Sequence, residues 1–289
     1  MEYRIIHKTR YVYSESVSLC HNEVRLIPRN LPFQTVIARR VNVEPKPSAF
    51  GERDDFFGNR VCYFSIEKPH KELLVSVTSQ VRVTPAAVPD PELSLPWEEA
   101  KKRIAADREL ADDCQFSLDS PLIASGKALQ DYALPSFSPQ RPLMAAARDL
   151  MCRIHRDFEF RPGFTSVSTP LDEVLKHRRG VCQDFAHVAV GAIRSMGLAA
   201  RYVSGYLETL PPPGQERLQG ADVSHAWFSV CVPDYGWLDF DPTNDIIPGE
   251  QHIITAWGRD YSDVTPLKGV IFGSGSHNLI VSVDVERRG

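Results

Sequence analysis

The period of the hydrophobic pattern changes twice along this chain, and those changes constrain its fold more than any other feature. In residues 1–85 the segments YRIIHKTRYVY, VIARRVNVEP, RVCYFSIEKP and LLVSVTSQVRVTP alternate apolar and polar side chains, with turn-type clusters such as FGNR between them. Alternation with period two puts one face of a strand into a core and the other into solvent. No long stretch of helical period interrupts these segments, so residues 1–85 are expected to form an antiparallel β-sandwich-like domain ending near Pro85. The proline-punctuated AAVPDPEL that follows reads as a linker.

The second regime is helical. Ser120-Pro121, Ser138-Pro139 with Pro142 close behind, and Thr169-Pro170 each place a hydroxyl before a proline. A hydroxyl at the N-cap accepts an orphan backbone N–H, and proline in the first turn gives up no hydrogen bond the helix needs. Helices are therefore expected near 121–132, 142–156 and 170–177, with a more exposed, charged one near 96–110. After Gly197 the period returns to two, in LAARYVSGYLE, HAWFSVCV, GWLDFDPT and HNLIVSVDVE. A block of helices followed by a block of strands predicts an α+β fold with a mainly antiparallel sheet. Residues 86–140 read as linker and helical segment, and 141–289 as a core domain that includes the C-terminal strands. The polar, proline-rich LPPPGQERLQGADV between the first two strands is a surface connection or the rim of a cleft.

With 289 residues, 43% of them hydrophobic, the chain can bury cores for two domains. Thirty-three basic and 37 acidic side chains give a formal charge of -4, with no long run of either sign. That argues against a nucleic-acid partner. No membrane-length apolar run and no apolar leader is visible, which predicts a cytoplasmic protein without a membrane partner. The six cysteines contain no CxxC pair, so zinc-ribbon and thioredoxin-type readings fall away and free thiols are expected.

One of those thiols stands apart. In RRGVCQDFAHVAVGAIRSMG, Phe185, Ala189, Ile193 and Met196 recur at helical spacing and mark a buried stripe, whereas Cys182 sits at the start of the helix. The positive end of the helix dipole and the unpaired N–H groups there favour a thiolate over the ordinary value of roughly 8.5, and they can stabilise an oxyanion. A buried packing role is the alternative, since free cysteine is among the most buried residue types. His187 is near in sequence but stands about 140° from Cys182 around the helix axis, which marks it as a structural or surface residue.

His225 is a better partner. It shares a strand face with Trp227, Ser229 and Cys231, and the short turn PDYG leads into WLDFDPTND, which carries Asp239 and Asp241. A cysteine nucleophile needs an imidazole to take its proton, and the imidazole needs a third polar group to orient it. The register matters: a loop of only the four residues PDYG would set His225 opposite Asn244 and turn Asp241 to the wrong face. A three- or five-residue connection, or a bulge, is required. Cys231 reads as a packing thiol, and Asp239 as a rival nearer the hairpin tip. A metal site of Cys182, His225 and Asp241 lacks a further clustered ligand.

With these residues in place, the chain resembles the transglutaminase-like superfamily. GVCQDFAHVAVGAIRSMGLAARYVSGYLE is similar to its nucleophile helix and following strand, SHAWFSV and WLDFDPTND to its histidine and aspartate segments, and FRPGFTSVSTPLDEVLKHRRG matches upstream. YRIIHKTRYVY, LIPRN and FGNRV resemble the β domain that precedes the core in bacterial members. The resemblance implies a papain-like, transglutaminase-type core with helices packed on an antiparallel sheet. It implies Cys182 as nucleophile, His225 as base and then acid, and Asp241 as orienting group. The reaction implied is thioester formation from a peptide or isopeptide amide, resolved by water in a cysteine peptidase or by an amine in an acyltransferase. The Cys182 N–H would hold the oxyanion together with a second donor; Gln183 and Trp227 are candidates for that donor or for lining the cleft, while an exposed first-turn residue and a packing indole are the plain readings of the two. Asp184 fits the pattern too, although an acid favoured by the helix start explains it equally well. No cofactor and no metal is implied. A catalytically silent peptide-binding or scaffold protein on the same fold is the competing reading.

Overall fold

A computed structural model of the chain describes residues 1–84, 87–208 and 224–288. The proline-rich segment 210–223 and the expected boundary at Pro85 lie outside the described residues. Six strands come first: β1 (Glu2–Val17), β2 (Leu19–Val24), β3 (Gln34–Glu44), β4 (Ala49–Asp54), β5 (Arg60–Ile66) and β6 (His70–Val83). Next come α1 (Trp97–Ala106), α2 (Lys127–Ala133), α3 (Leu143–Asp157), β7 (Glu159–Phe160), α4 (Leu171–His177), β8 (Arg179–Gly180) and α5 (Cys182–Ser195). The chain ends with β9 (Ala200–Leu207), β10 (Ser224–Val232), β11 (Gly236–Phe240), β12 (His252–Gly258), α6 (Tyr261–Val264), β13 (Leu267–Phe272) and β14 (His277–Arg288). The α+β expectation is met.

The N-terminal unit stacks two antiparallel sheets, ordered β14-β1-β6-β3 and β13-β2-β5-β4. Between them lie Val17, Cys20, Phe64, Ile66, Leu73 and Val75, the inward residues of alternating strands. The long strands serve two partners. Tyr3 and Ile5 at the start of β1, and Val81 and Val83 at the end of β6, pack instead on Tyr206 and Ile253 of the third sheet. Where the two cores meet, a buried polar belt forms: the Tyr206 hydroxyl bonds His7 Nδ1 at 3.0 Å, and His7 Nε2 bonds Thr9 Oγ1 at 3.1 Å. Burial pushes the His7 imidazole down to about 4, which suits a neutral ring in that belt.

The assignment of residues 141–289 to one core unit needs correcting at its C-terminal end. HNLIVSVDVE does form a strand, β14, but it pairs with β1, and the unforeseen β13 pairs with β2. Alternation identifies a strand without naming its neighbour. β1 and β2 would otherwise present open edges, which returning strands close.

Two of the proline-marked helices stand where expected, though not for the expected reason. α3 and α4 begin directly after Pro142 and Pro170, yet neither N-cap has a side-chain hydrogen bond. The Thr169 hydroxyl accepts from the Ser166 N–H instead. Ser120-Pro121 starts no helix, because Ser120 is bridged to Ile123 and its hydroxyl accepts from Arg194; α2 begins six residues later than Pro121.

The third sheet, β11-β10-β9-β12, carries the core. On one face Phe228 and Val230 of β10 join the cluster that contains Val188, Ala189 and Ile193 of α5. On the other, Val203, Trp227 and Ile254 pack beneath Leu31 and Phe33 of the N-terminal unit. Phe185 to Arg194 of α5 are all buried, so this helix is an interior strut rather than a half-exposed one. Because Ile5 belongs to the cluster that joins both units, Ile5→Ala is expected to cost about 2–5 kcal/mol. Urea unfolding should show one shifted transition covering both units; a core that kept its wild-type midpoint would show that the cluster does not couple them.

Candidate active site

The approach to α5 is shaped by a buried acid. Asp184, the third residue of the helix, accepts from the Val181 N–H at 2.8 Å and from the Thr165 hydroxyl at 2.6 Å. Its carboxylate thus satisfies one of the orphan donors of the helix start. A Cβ on Gly180 would overlap the Asp184 carboxyl group, which explains the glycine two residues before the cysteine. Cys182 is the first helical residue, half-buried, and packs with Ala186, Tyr202 and Ala226. All six cysteines are free. Burial pushes the thiols of Cys62 and Cys231 up to about 12, and Cys231 is a packing residue as its register implied.

β10 and β11 settle the hairpin register. Val232 pairs with Gly236 and Phe228 with Phe240, leaving a three-residue connection, 233–235. Left-handed backbone at Asp234 (φ 70°) and Gly236 (φ 75°) closes this turn. Three residues restore the parity that a four-residue loop would lose, and His225 Nε2 meets Asp241 Oδ2 at 2.7 Å.

Asp241 has no solvent exposure and is surrounded by donors. Besides His225, its Oδ2 receives Asn244 Nδ2 at 2.8 Å and His252 Nε2 at 3.1 Å. Oδ1 accepts from the backbone N–H groups of Thr243 at 2.9 Å and Asn244 at 3.3 Å. Burial alone would raise the Asp241 carboxyl, but the hydrogen bonds from both histidines outweigh it and hold the group well below the usual carboxylate range. For His225, burial works downward; the Asp241 carboxylate, hydrogen-bonded to the ring, and the charge of the Cys182 sulfur lift it to about 10. Since Asp241 occupies Nε2, Nδ1 is the nitrogen left for the sulfur.

His252 and Asn244 were not singled out from sequence. β12 is buried along nearly its whole length, so HIITAWG carries no alternation to betray it, and nothing in the spacing ties its first residue to Asp241. The other predicted neighbours separate. His187 is buried, not at the surface: its Nε2 accepts from the Tyr261 N–H at 3.1 Å, and burial pushes it down to about 4. Trp227 lines no cleft. It is fully buried beneath the N-terminal unit, its ring 5.9 Å from that of His225. Gln183 is half-buried beside Cys182, with no hydrogen-bond partner for its side chain among the described residues. Asp239 faces Ser229 in the ladder, away from His225. His225, Asp241 and His252 gather three ligand-type atoms within 4.8 Å of one another. That cluster is a hydrogen-bond network around one oxygen, whose lone pairs three N–H donors already occupy.

Residues 3–82 match the family model for the bacterial transglutaminase-like N-terminal region, and residues 131–242 that of the transglutaminase-like superfamily. An uncharacterised Mycobacterium tuberculosis protein is 42% identical over 98% of this chain and 92% of its own length. The chain belongs to the transglutaminase-like superfamily. Within that superfamily, a Pseudomonas aeruginosa protein-glutamine gamma-glutamyltransferase is 29% identical over 42% of this chain and 18% of its own. A solved structure of a candidate cysteine protease from Cytophaga hutchinsonii shares the fold, with a TM-score of 0.76 and 20% identity over 100% of this chain and 92% of that one.

The charge network makes stability depend on pH. A raised His225 contributes stability that is full below its ordinary value of 6.5 and is lost as pH rises through about 10. A lowered Asp241 contributes above the ordinary carboxylate value of 3.8 and loses its contribution as pH falls through its depressed folded-state value. Wild type should therefore exceed Asp241→Asn most near pH 5–6 and by progressively less between pH 7 and 10. Urea midpoints at pH 6 and 9.5 check this, and NMR titration of the His225 ring should give a value well above 6.5 that drops in the Asn variant.

Proposed function

We propose that this transglutaminase-like protein is a thiol-dependent amide hydrolase or acyltransferase acting on peptide or isopeptide bonds. The observation that carries the reading is the 2.7 Å His225–Asp241 pair, which orients the ring with one nitrogen spare, together with the sulfur of Cys182 at the start of α5. His225 takes the thiol proton, and the sulfur attacks the amide carbonyl carbon. The tetrahedral oxyanion is held by the Cys182 N–H, which has no carbonyl partner in the first helical turn. The unpartnered amide of Gln183 is the second donor we assign. Collapse breaks the C–N bond as His225 protonates the leaving amine, leaving a thioester. Water then attacks, with His225 as base, and releases the acid and the thiol; an amine at the same step gives transamidation. Hydrolysis is the outcome we favour.

Asp241 stays ionised throughout. Its role is to fix the ring tautomer and stabilise the imidazolium. Incubation with a peptide library should yield a Cys182 acyl adduct by mass spectrometry. Products incorporating water or an added amine distinguish the two outcomes. Cys182→Ala should lower turnover at least about 10³-fold, and Gln183→Ala about 10²-fold in kcat. Equal turnover by Cys182→Ala would remove the mechanism, and alkylation of Cys182 by iodoacetamide no faster than a model thiol would favour a silent scaffold.

A further inference from the structure

A cavity of about 350 Å³ lies between the N-terminal unit and the third sheet, on the face opposite α5. Leu31 and Phe33 roof it, and Trp237 and Trp257 stand in its walls. Between those two indoles lies Arg201 of β9, its guanidinium carbon 4.3 Å from the Trp237 ring centre and 3.8 Å from that of Trp257. Arg201 is 7% exposed, and among the described residues it makes no hydrogen bond and no ion pair.

Arg194, the other deeply buried arginine among the described residues, shows how unusual that is. Arg194 gives its donors to the carbonyls of Phe116, Ala200 and Arg259 and to the Ser120 hydroxyl. Buried guanidinium groups are ordinarily satisfied in this way, because an unpaired one carries a large desolvation cost. Ring faces offset part of that cost for Arg201, but they accept none of its N–H bonds. Arg29 also stacks on Trp257, at 3.5 Å, while Asp113, whose charge reaches Arg201 as that of Asp239 does, accepts from Trp237 Nε1 at 3.0 Å instead. Asp239 lies on the same wall but makes no ion pair with Arg201, and burial pushes its carboxyl up despite Arg201. A planar fork of donors between two aromatic slabs matches a carboxylate, which it can hold in two parallel hydrogen bonds.

We propose that this cavity binds a small organic carboxylate with an apolar body, its carboxylate on Arg201 and its body against Trp237, Trp257 and the Leu31–Phe33 roof. The volume falls within the range of small-ligand sites, and apolar walls with few placed polar groups are their usual make-up. The site is distinct from Cys182 yet linked to it. His252 lines the cavity, donates to Asp241 Oδ2 through Nε2, and has an Nδ1 that is buried with no partner. An occupant therefore touches a side chain that itself touches Asp241, so binding is coupled to the His225–Asp241 pair. The binding claim stands without the proposed chemistry, and Cys182→Ala protein serves to test it.

Isothermal titration of the full chain uses 3-phenylpropionate, its neutral amide and 2-phenylethylamine. Saturable binding of the acid, at least tenfold tighter than either analogue and at least tenfold weaker in Arg201→Met, is expected. Ile247→Trp, which fills the cavity and keeps Arg201, should abolish it and guards against misfolding of the Arg201 variant. Equal binding of the amide or the amine, or an undiminished affinity in either variant, overturns the site. In labelled protein the His252 ring resonances should shift on saturation while those of exposed His177 stay fixed. Iodoacetamide alkylation of Cys182 in wild type should change at least threefold. An unmoved His252 or an unchanged alkylation rate overturns the coupling.

Discussion

Burial of the Asp241 carboxylate is the constraint around which the core is organised. A fully buried charge is tolerated only when it is paired and its lone pairs are filled. Here His225 of β10, His252 of β12, and the side chain and backbone of Asn244 all converge on it, joined by the Thr243 N–H. The donors come from the segments on both sides of β9, so the carboxylate ties the edges of the sheet to its centre. Removing the acid would leave two imidazoles facing each other across a dry gap. Removing either imidazole would leave the carboxylate short of a donor. The network is therefore interdependent, and its members' effects on stability should not add.

That dependence explains the hairpin. Ser229 faces Asp239 and Val230 faces Leu238 in the ladder, and a slip of one residue would carry Asp241 to the α5 side, into the apolar cluster around Phe228 and Ile193. The slipped register strands a carboxylate among hydrocarbon, while the observed one places it among five donors. Turn chemistry and burial thus select the same pairing. A positive φ at Asp234 and Gly236 makes the three-residue connection possible, and the buried acid makes it the favoured one.

How much of this could be read beforehand follows from how local each signal is. Alternation disclosed most N-terminal strands, because one face of each is partly polar, while β10, buried on both faces, was found through the turn residues that follow it. Alternation failed for β12, which is buried on both sides, and it could not show that β13 and β14 return to β2 and β1, because pairing partners are not written in a strand's own pattern. The pairing of His225 with Asp241 was legible because the strand period limits which faces they share and the hairpin register can then be counted. His252 was invisible: it is one histidine among nine, in a segment without a motif, and only the folded sheet brings it to Asp241. Trp227 packs rather than lining a cleft, and its own pattern could not decide between the two. It shares the face of His225, but Leu31 and Phe33 of the N-terminal unit cover it there.

This last point bears on why the candidate site sits where it does. Cys182 packs beside Ala226, on the α5 face of the sheet, whereas His225, the next residue back, projects to the other face with Trp227. Side chains on opposite faces of a sheet are separated by its backbone along most of a strand. Cys182 is the first residue of α5 and packs with Ala226, which sets the sulfur beside the strand at the position next to His225. The N-terminal unit can then cover the imidazole face and α5 the opposite one, leaving the junction between them as the place where sulfur and ring come within reach. A histidine two residues farther along β10, at the position of Trp227, would lie under the β domain with the sheet between it and the sulfur. Thus the position of His225 along its strand matters as much as its face.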